Sequence, residues 1–347
     1  MTDASDPPRA AEPATPQTRR EVGEARRAAE THDTGPALQA HLRAARSELE
    51  NQVAQARADF EEANERIKER TGRDLIVATV IGLAIGAVLL GSLLFVKWAF
   101  VPFALGAALL AMFEFARALM ASGRRVDLIP QLVAGAVVVL SAYFVDSWLH
   151  WVLLFVALAF VVVWRLVGQM ASHDGRTYAL VLGDVLIACF LQLYVAFLTS
   201  LCLVLLSKDG GEWWVLSFII VAVAVDTGAY AAGITMGKHP MAPRISPKKT
   251  WEGFAGAATA AVLAAVLYGL FVLHIPIWAS VIVGLVILAS ATVGDLGESM
   301  IKRDLGIKDM SSWLPGHGGV LDRLDSILPS AAVALALYFV LSPLAAA

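Results

Sequence analysis

The amino-acid sequence predicts an all-α polytopic membrane protein of about nine transmembrane helices, and three observations carry that prediction. Of its 347 residues 58% are hydrophobic and 16% charged, with a mean hydropathy of +0.67, more apolar surface than a water-soluble domain buries. The apolar residues fall in runs of roughly 20, the length that spans a bilayer as a helix. Basic residues alternate between the two ends of those runs, as the cytoplasmic loop bias requires. The formal net charge of -3 gives no reason to expect a nucleic-acid partner.

Residues 1–36 are rich in Pro, Ala, Thr and charge and predict a disordered cytoplasmic tail; the opening MTDASDPPRAAEPATPQTRR lacks the apolar core of a signal peptide. Residues 37–70 contain no Pro or Gly. Leu42, Leu49, Ala56 and Ala63 repeat by sevens, with Val53, Phe60 and Ile67 as a companion row, which predicts an amphipathic or coiled-coil helix. It would dock a partner, or lie on the membrane or on its own protein; both readings stand. From 75 to 347 the chain reads as a transmembrane domain.

Nine spans are predicted, at 75–96, 98–120, 128–146, 149–168, 183–206, 213–236, 252–273, 276–294 and 327–344. The fifth has the least definite start, because apolar residues begin near Tyr178 and Asp184 interrupts them. His274-Ile275-Pro276 suits a tight hairpin between the seventh and eighth. Cys189 and Cys202 would lie several turns apart on one helix, too far to bridge. With the N-terminus cytoplasmic and the C-terminus outside, the inner loops hold thirteen basic residues: Arg117, Arg124, Arg125, Arg165, Arg176, Lys238, Arg244, Lys248, Lys249, Lys302, Arg303, Lys308 and Arg323. The outer side holds Lys97 and Lys208. The same alternation places 237–251 and 295–326 on the cytoplasmic face, joined by one out-and-back hairpin, so they can meet in space.

Those two stretches hold the polar chemistry. From Gly294 to Ser326 the chain reads GDLGESMIKRDLGIKDMSSWLPGHGGVLDRLDS, with Asp295, Glu298, Asp304, Asp309, Asp322 and Asp325 interleaved with Lys302, Arg303, Lys308 and Arg323. Carboxylates hold Mg²⁺ through hard oxygens, Lys and Arg hold phosphate oxygens, and glycine backbone approaches an anion closely. This mixture predicts a site for metal-neutralised phosphates. From Asp226 to Gly253 the chain reads DTGAYAAGITMGKHPMAPRISPKKTWEG. Asp226 falls inside an apolar span, where an ionisable side chain is costly and by default functional. Gly228, Gly233 and Gly237 serve helix packing or substrate approach. Ser246, Lys248, Lys249 and Thr250 gather just before a helix start and suit a phosphate, although inner-face anchoring alone also accounts for two lysines.

The run SMIKRDLGIKDMSSWLPGHGGVLDRLD, Ser299 to Asp325, resembles the signature of phosphatidate cytidylyltransferases, or CDP-diacylglycerol synthases. Ser299, Lys302-Arg303, Lys308-Asp309, Pro315, His317-Gly318-Gly319, Asp322-Arg323 and Asp325 carry it. DTGAY at 226–230 and ISPKKTWEG at 245–253 are similar to two further hallmarks, in the family's order. The resemblance covers about 75–347. It implies a nucleotidyltransferase of phospholipid biosynthesis that moves CMP from CTP to phosphatidic acid with Mg²⁺, releasing pyrophosphate. It implies Asp295 and Asp322 as catalytic metal ligands, with Asp325 as a further ligand or as the group that orients Arg323. Lys302, Arg303 and Arg323 would bind triphosphate or lipid phosphate. Asp226, Ser246, Lys248, Lys249, Lys308, Gly318 and Gly319 would line the substrate site, and His317 would donate a hydrogen bond within the phosphate loop. The resemblance favours a homodimer; the alanine- and arginine-rich composition suits a bacterium, and the basic-residue bias puts the site on the cytoplasmic face of its inner (plasma) membrane.

Other classes fit less well. An anion transporter built around Asp226 would show paired repeats and a mid-membrane site; the first half carries no corresponding motif. A CDP-alcohol phosphatidyltransferase would carry an aspartate pattern beginning Asp-Gly and running through Ala-Arg, which Asp174-Gly175-Arg176 only echoes. A cytidylyltransferase for another lipid phosphate stands closer.

Overall fold

The computed structural model describes residues 75–172, 175–311, 313 and 318–345, the first five by backbone alone, together with Arg46, Glu48 and Gln55. The chain divides into two units, Met1–Gly72 and Arg73–Ala347. In the first unit the three described positions are helical and exposed. The tail 1–36 and the heptad row lie outside the described residues.

Among the described residues the second unit is a set of apolar helices: α1 (Leu75–Phe95), α2 (Lys97–Ala121), α3 (Leu128–Phe144), α4 (Ser147–Ala171), α5 (Tyr178–Leu206), α6 (Gly211–Met236), α7 (Trp251–Leu273), α8 (Ile277–Asp304) and α9 (Leu321–Leu344). Seven of them, α2 and α4 to α9, are long and apolar enough to cross a membrane; α3 and the Val80–Phe95 part of α1 are shorter apolar helices. The protein is therefore a helical, multi-pass membrane protein. Large apolar side chains such as Phe95, Trp98, Trp148, Phe155, Phe271 and Val340 face outward, as a lipid-solvated surface allows and a water-solvated one does not.

Contacts place the helix ends. Lys97 at the start of α2 pairs with Glu212 at the start of α6 at 2.7 Å, and Tyr268 and Tyr338, late in α7 and α9, bond the Trp213 and Asp209 carbonyls. At the opposite end Arg176 donates to the Gly123 carbonyl, and Leu321 is tied to Glu114 of α2. The helices thus alternate in direction.

Three sequence expectations need correction. The fifth span begins at Tyr178 rather than 183, because Asp184 does not interrupt it: the carboxylate is fully buried and accepts from Arg165 at 2.9 Å, Arg176 at 3.0 Å and the Arg125 backbone N–H at 3.1 Å. Arg165, read as a loop charge, is itself a buried residue of α4. The eighth span runs to Asp304, ten residues past 294, since a helix leaving the apolar layer can continue on polar residues once its backbone bonds are made. The polar link between α6 and α7, left without a secondary-structure expectation, folds as a hairpin. Pro240, Pro243 and Pro247 exclude a helix, and a short antiparallel hairpin forms instead, β1 (Pro240–Ala242) with β2 (Ser246–Thr250). The His274 turn is as expected: this residue takes φ 53° between α7 and α8, and both cysteines are free.

Candidate active site

The polar end of α8 forms one wall. Asp295, Glu298, Ser299 and Lys302 follow spacings of three and four, which puts them on one face of the helix. Lys302 donates to Glu298 at 3.0 Å along that face and to Asp322 Oδ1 of α9 at 2.9 Å across the gap. One ammonium group therefore bridges the two helices. The approach is close because of Gly294: a Cβ there would lie 2.2 Å from the Asp325 carbonyl oxygen.

Asp322 is the knot of this wall. Its Oδ2 accepts from the Gly319 N–H at 2.8 Å and the Met310 N–H at 3.0 Å, which closes the base of the loop between α8 and α9. Gly318 sits at φ 82°, a conformation L side chains rarely adopt, with space for a Cβ only 3.0 Å from the same oxygen. Asp325 accepts from the Ser326 N–H.

The β1–β2 hairpin forms the facing wall. Lys249 of β2 pairs with Asp295 of α8, and Arg303 donates to the Ile245 carbonyl at 3.3 Å. Thr250 caps α7 by accepting from the Gly253 N–H at 3.1 Å. Glu252 accepts from the Lys238 and His239 N–H groups at 3.0 and 3.2 Å and so fastens the hairpin. Between the walls lies a cavity of about 210 Å³ whose lining includes Asp226, Tyr230, Lys248, Lys249, Phe254 and Asp295. Asp226 is also within electrostatic reach of Asp325 and Arg323. The close pairing of α6 and α7 that sets this geometry needs Gly228: a Cβ there would meet Ala260 Cβ at 2.6 Å and Gly256 O at 2.7 Å. Packing, rather than ligand approach, explains that glycine.

The two polar stretches separated in sequence do meet. Asp226, Lys248, Lys249 and Asp295 gather at the cavity, while Lys302, Asp322, Asp325, Gly318 and Gly319 form the adjoining knot. Other residues singled out by sequence are placed less centrally. Ser246 opens β2 opposite Ala242, Lys308 is exposed past α8, Arg323 is exposed on the first turn of α9, and Arg303 serves the hairpin. His317 lies outside the described residues. Asp295, expected at the edge of a loop, stands on a helix, and its cationic partner is Lys249 whereas that of Asp322 is Lys302. Sequence reasoning gave no role to Glu298, fully buried on Lys302, or to Glu114, 2% exposed in α2 and bonded to Ser311 Oγ at 2.6 Å and Leu321 N at 3.0 Å. A carboxylate inside the apolar run AMFEFARAL was the available signal for Glu114.

The donor set suits a hard divalent cation. Asp295, Glu298, Asp322 and Asp325 offer carboxylate oxygens, and Glu298 Oε1 is buried without a hydrogen-bond partner. The Glu298 and Asp325 carboxylates repel each other when both are ionised. Among the described residues no three His, Cys, Asp or Glu side chains converge on one point; lysines lie between the carboxylates.

Comparison with known proteins gives this geometry a setting. Residues 76–341 match the family described as the cytidylyltransferase family. The chain is 39% identical over 278 residues to the phosphatidate cytidylyltransferase of Mycobacterium bovis, covering 76% of this chain and 88% of the relative. It is 38% identical over 281 residues to the Mycobacterium leprae protein of the same name, with 76% and 88% covered. A Staphylococcus epidermidis phosphatidate cytidylyltransferase is 44% identical over 122 residues, 35% of this chain and 46% of the relative. With most of its length matched, and with the paired acidic and basic walls falling inside the match, the chain belongs to the cytidylyltransferase family.

Proposed function

We propose that this chain transfers CMP from CTP to phosphatidic acid, yielding CDP-diacylglycerol and pyrophosphate. The carrying observation is the junction of the two polar walls, Lys249 with Asp295 and Lys302 with Asp322, at the end of an apolar helical bundle. A lipid phosphate and a soluble nucleotide can meet only where oil and water meet. The attacking oxygen belongs to a phosphate monoester that is already ionised near neutral pH. It bonds to the α-phosphorus of CTP as the bond from that phosphorus to the bridging oxygen of pyrophosphate breaks. No strong general base is required, so the protein's task is to bring two polyanions together and hold them in line.

The residues divide that task. Lys248, Lys249, Lys302, Arg303 and Arg323 neutralise phosphate oxygens, with Lys308 and Ser246 further out, and His317 donates a hydrogen bond within the phosphate loop. Gly318 and Gly319 present backbone to an anion. Asp295, Asp322 and Asp325 would hold Mg²⁺, which when bound supplies charge neutralisation for the triphosphate. Asp226 lines the cavity where the substrates meet. Nine spans, an inner N-terminus and an outer C-terminus put the site on the cytoplasmic face: the thirteen basic residues share the site's end of the bundle. The catalytic domain spans 75–347, residues 1–70 serve partner binding or localisation, and the active unit is a homodimer in the bacterial inner membrane.

Purified protein incubated with CTP, Mg²⁺ and phosphatidic acid should release pyrophosphate and form CDP-diacylglycerol. Turnover only with another lipid phosphate, or anion transport with no nucleotide turnover, would overturn the reading.

A further inference from the structure

We propose that Glu114 of α2 is a positioning residue: it anchors both limbs of the α8–α9 loop to the membrane bundle and so holds the glycine backbone in its phosphate-binding shape. The proposal rests on the cytidylyl-transfer reading. A carboxylate that is 2% exposed within an apolar helix is costly unless its acceptor positions are filled. Here they are filled by the loop. Ser311 Oγ donates to Oε1 at 2.6 Å from the outgoing limb, and the Leu321 N–H donates to Oε2 at 3.0 Å from the returning limb.

Asp322 binds the neighbouring residues of the same limbs, Met310 and Gly319. Two carboxylates thus fasten one loop base from two sides. They differ in what they are attached to: Asp322 stands on the first turn of α9, directly after the loop, whereas Glu114 stands on α2, a helix remote in sequence. Gly319 lies between them, since a Cβ there would come 2.7 Å from Glu114 Oε2 and 3.1 Å from Asp322 Oδ2. One residue before Glu114, the Phe113 ring packs on Trp313 of the loop with centroids 5.1 Å apart. An anchored loop spares the ordering cost when two polyanions must be aligned, and alignment is the main demand of this reaction.

The test uses the full chain in detergent, with steady-state CMP transfer and hydrogen exchange over 310–321 as readouts. Glu114→Gln can keep both bonds, its Oε1 accepting from Leu321 and its amide donating to Ser311; Glu114→Ala keeps neither. Glu114→Ala should lower kcat about a hundredfold with KM for CTP changed less than about threefold, because alignment acts on the transition state. Glu114→Gln should stay within about threefold of the parent, while Ser311→Ala should lose about tenfold in kcat and add nothing on top of Glu114→Ala. Exchange at 310–321 should quicken in Glu114→Ala and Ser311→Ala alone. Parent-like turnover in Glu114→Ala, or Glu114→Gln as impaired as Glu114→Ala, would overturn the proposal. Should Glu114→Ala fail to fold, parent-like kcat and exchange in Ser311→Ala overturn it instead. A parent protein without CMP transfer would defeat the functional reading, and unchanged exchange in Glu114→Ala would separately defeat the anchor.

Discussion

Replacing Asp322 by Asn tests the heart of the site. The side chain keeps its volume, but its two oxygens now serve three donors: Lys302 Nζ at 2.9 Å on Oδ1, and the Gly319 and Met310 N–H groups at 2.8 and 3.0 Å on Oδ2. An amide offers one oxygen. If it faces the backbone, the new NH₂ group points at the Lys302 ammonium; if it faces Lys302, the NH₂ group points at two N–H donors. Either orientation gives up a charge-assisted bond, about 1.5–3 kcal/mol, and opposes donor to donor in a side chain 6% exposed, about 1–3 kcal/mol more. Lys302 keeps Glu298 as a partner, which limits collapse of the wall. Those bonds set the stability of the fold; the loss of turnover comes from the charge Asp322 would bring to Mg²⁺, and roughly 3 kcal/mol or more lost from the transition state lowers turnover at least about a hundredfold. Asp304→Asn is the control, since Asp304 is exposed at the end of α8 and should change activity little. The assay is CDP-diacylglycerol formation from CTP and phosphatidic acid across a Mg²⁺ titration, on protein shown to be folded by its thermal transition. Asp322→Asn turning over within about threefold of the parent, at parent-like Mg²⁺ dependence, would refute the metal-ligand role, and a parent-like thermal transition would refute the hydrogen-bond account.

Asp184→Ala leaves the buried Arg165 guanidinium without its counter-ion and should destabilise the bundle by about 3–5 kcal/mol; an unchanged thermal transition in detergent would show that the pair is dispensable. Removing residues 1–70 should leave CMP transfer largely intact, because every residue of the site lies at or beyond Glu114; a folded but inactive truncated protein would contradict this. Single cysteines at Pro240 and Lys308, both exposed positions, should react with an impermeant thiol reagent only when the inner face is open. Labelling of either from outside would break the proposed nine-span orientation.

Much of this protein is legible without coordinates because a bilayer is a severe solvent. It demands runs of about 20 apolar residues and satisfied backbone bonds, so the helical, multi-pass class follows directly from sequence, while the fifth helix starts earlier and the eighth ends later than hydropathy places them. The polar residues that survive in such a chain stand out, and for that reason Asp226, Lys249, Asp295, Lys302 and Asp322 were identifiable. Hydropathy cannot say what a polar residue inside a span is paired with. Asp184 read as an interruption because its partners Arg165 and Arg176 lie 19 and 8 residues away, on another helix and in a loop. Glu114 bonds Leu321 across 207 residues, a separation no local pattern encodes. Which carboxylate meets which lysine was decided by tertiary packing, through close approaches such as Gly294 on Asp325 and Gly228 on Gly256 that set the helices within reach. The solvent dictates what must be buried, and packing geometry dictates what each buried charge finds there.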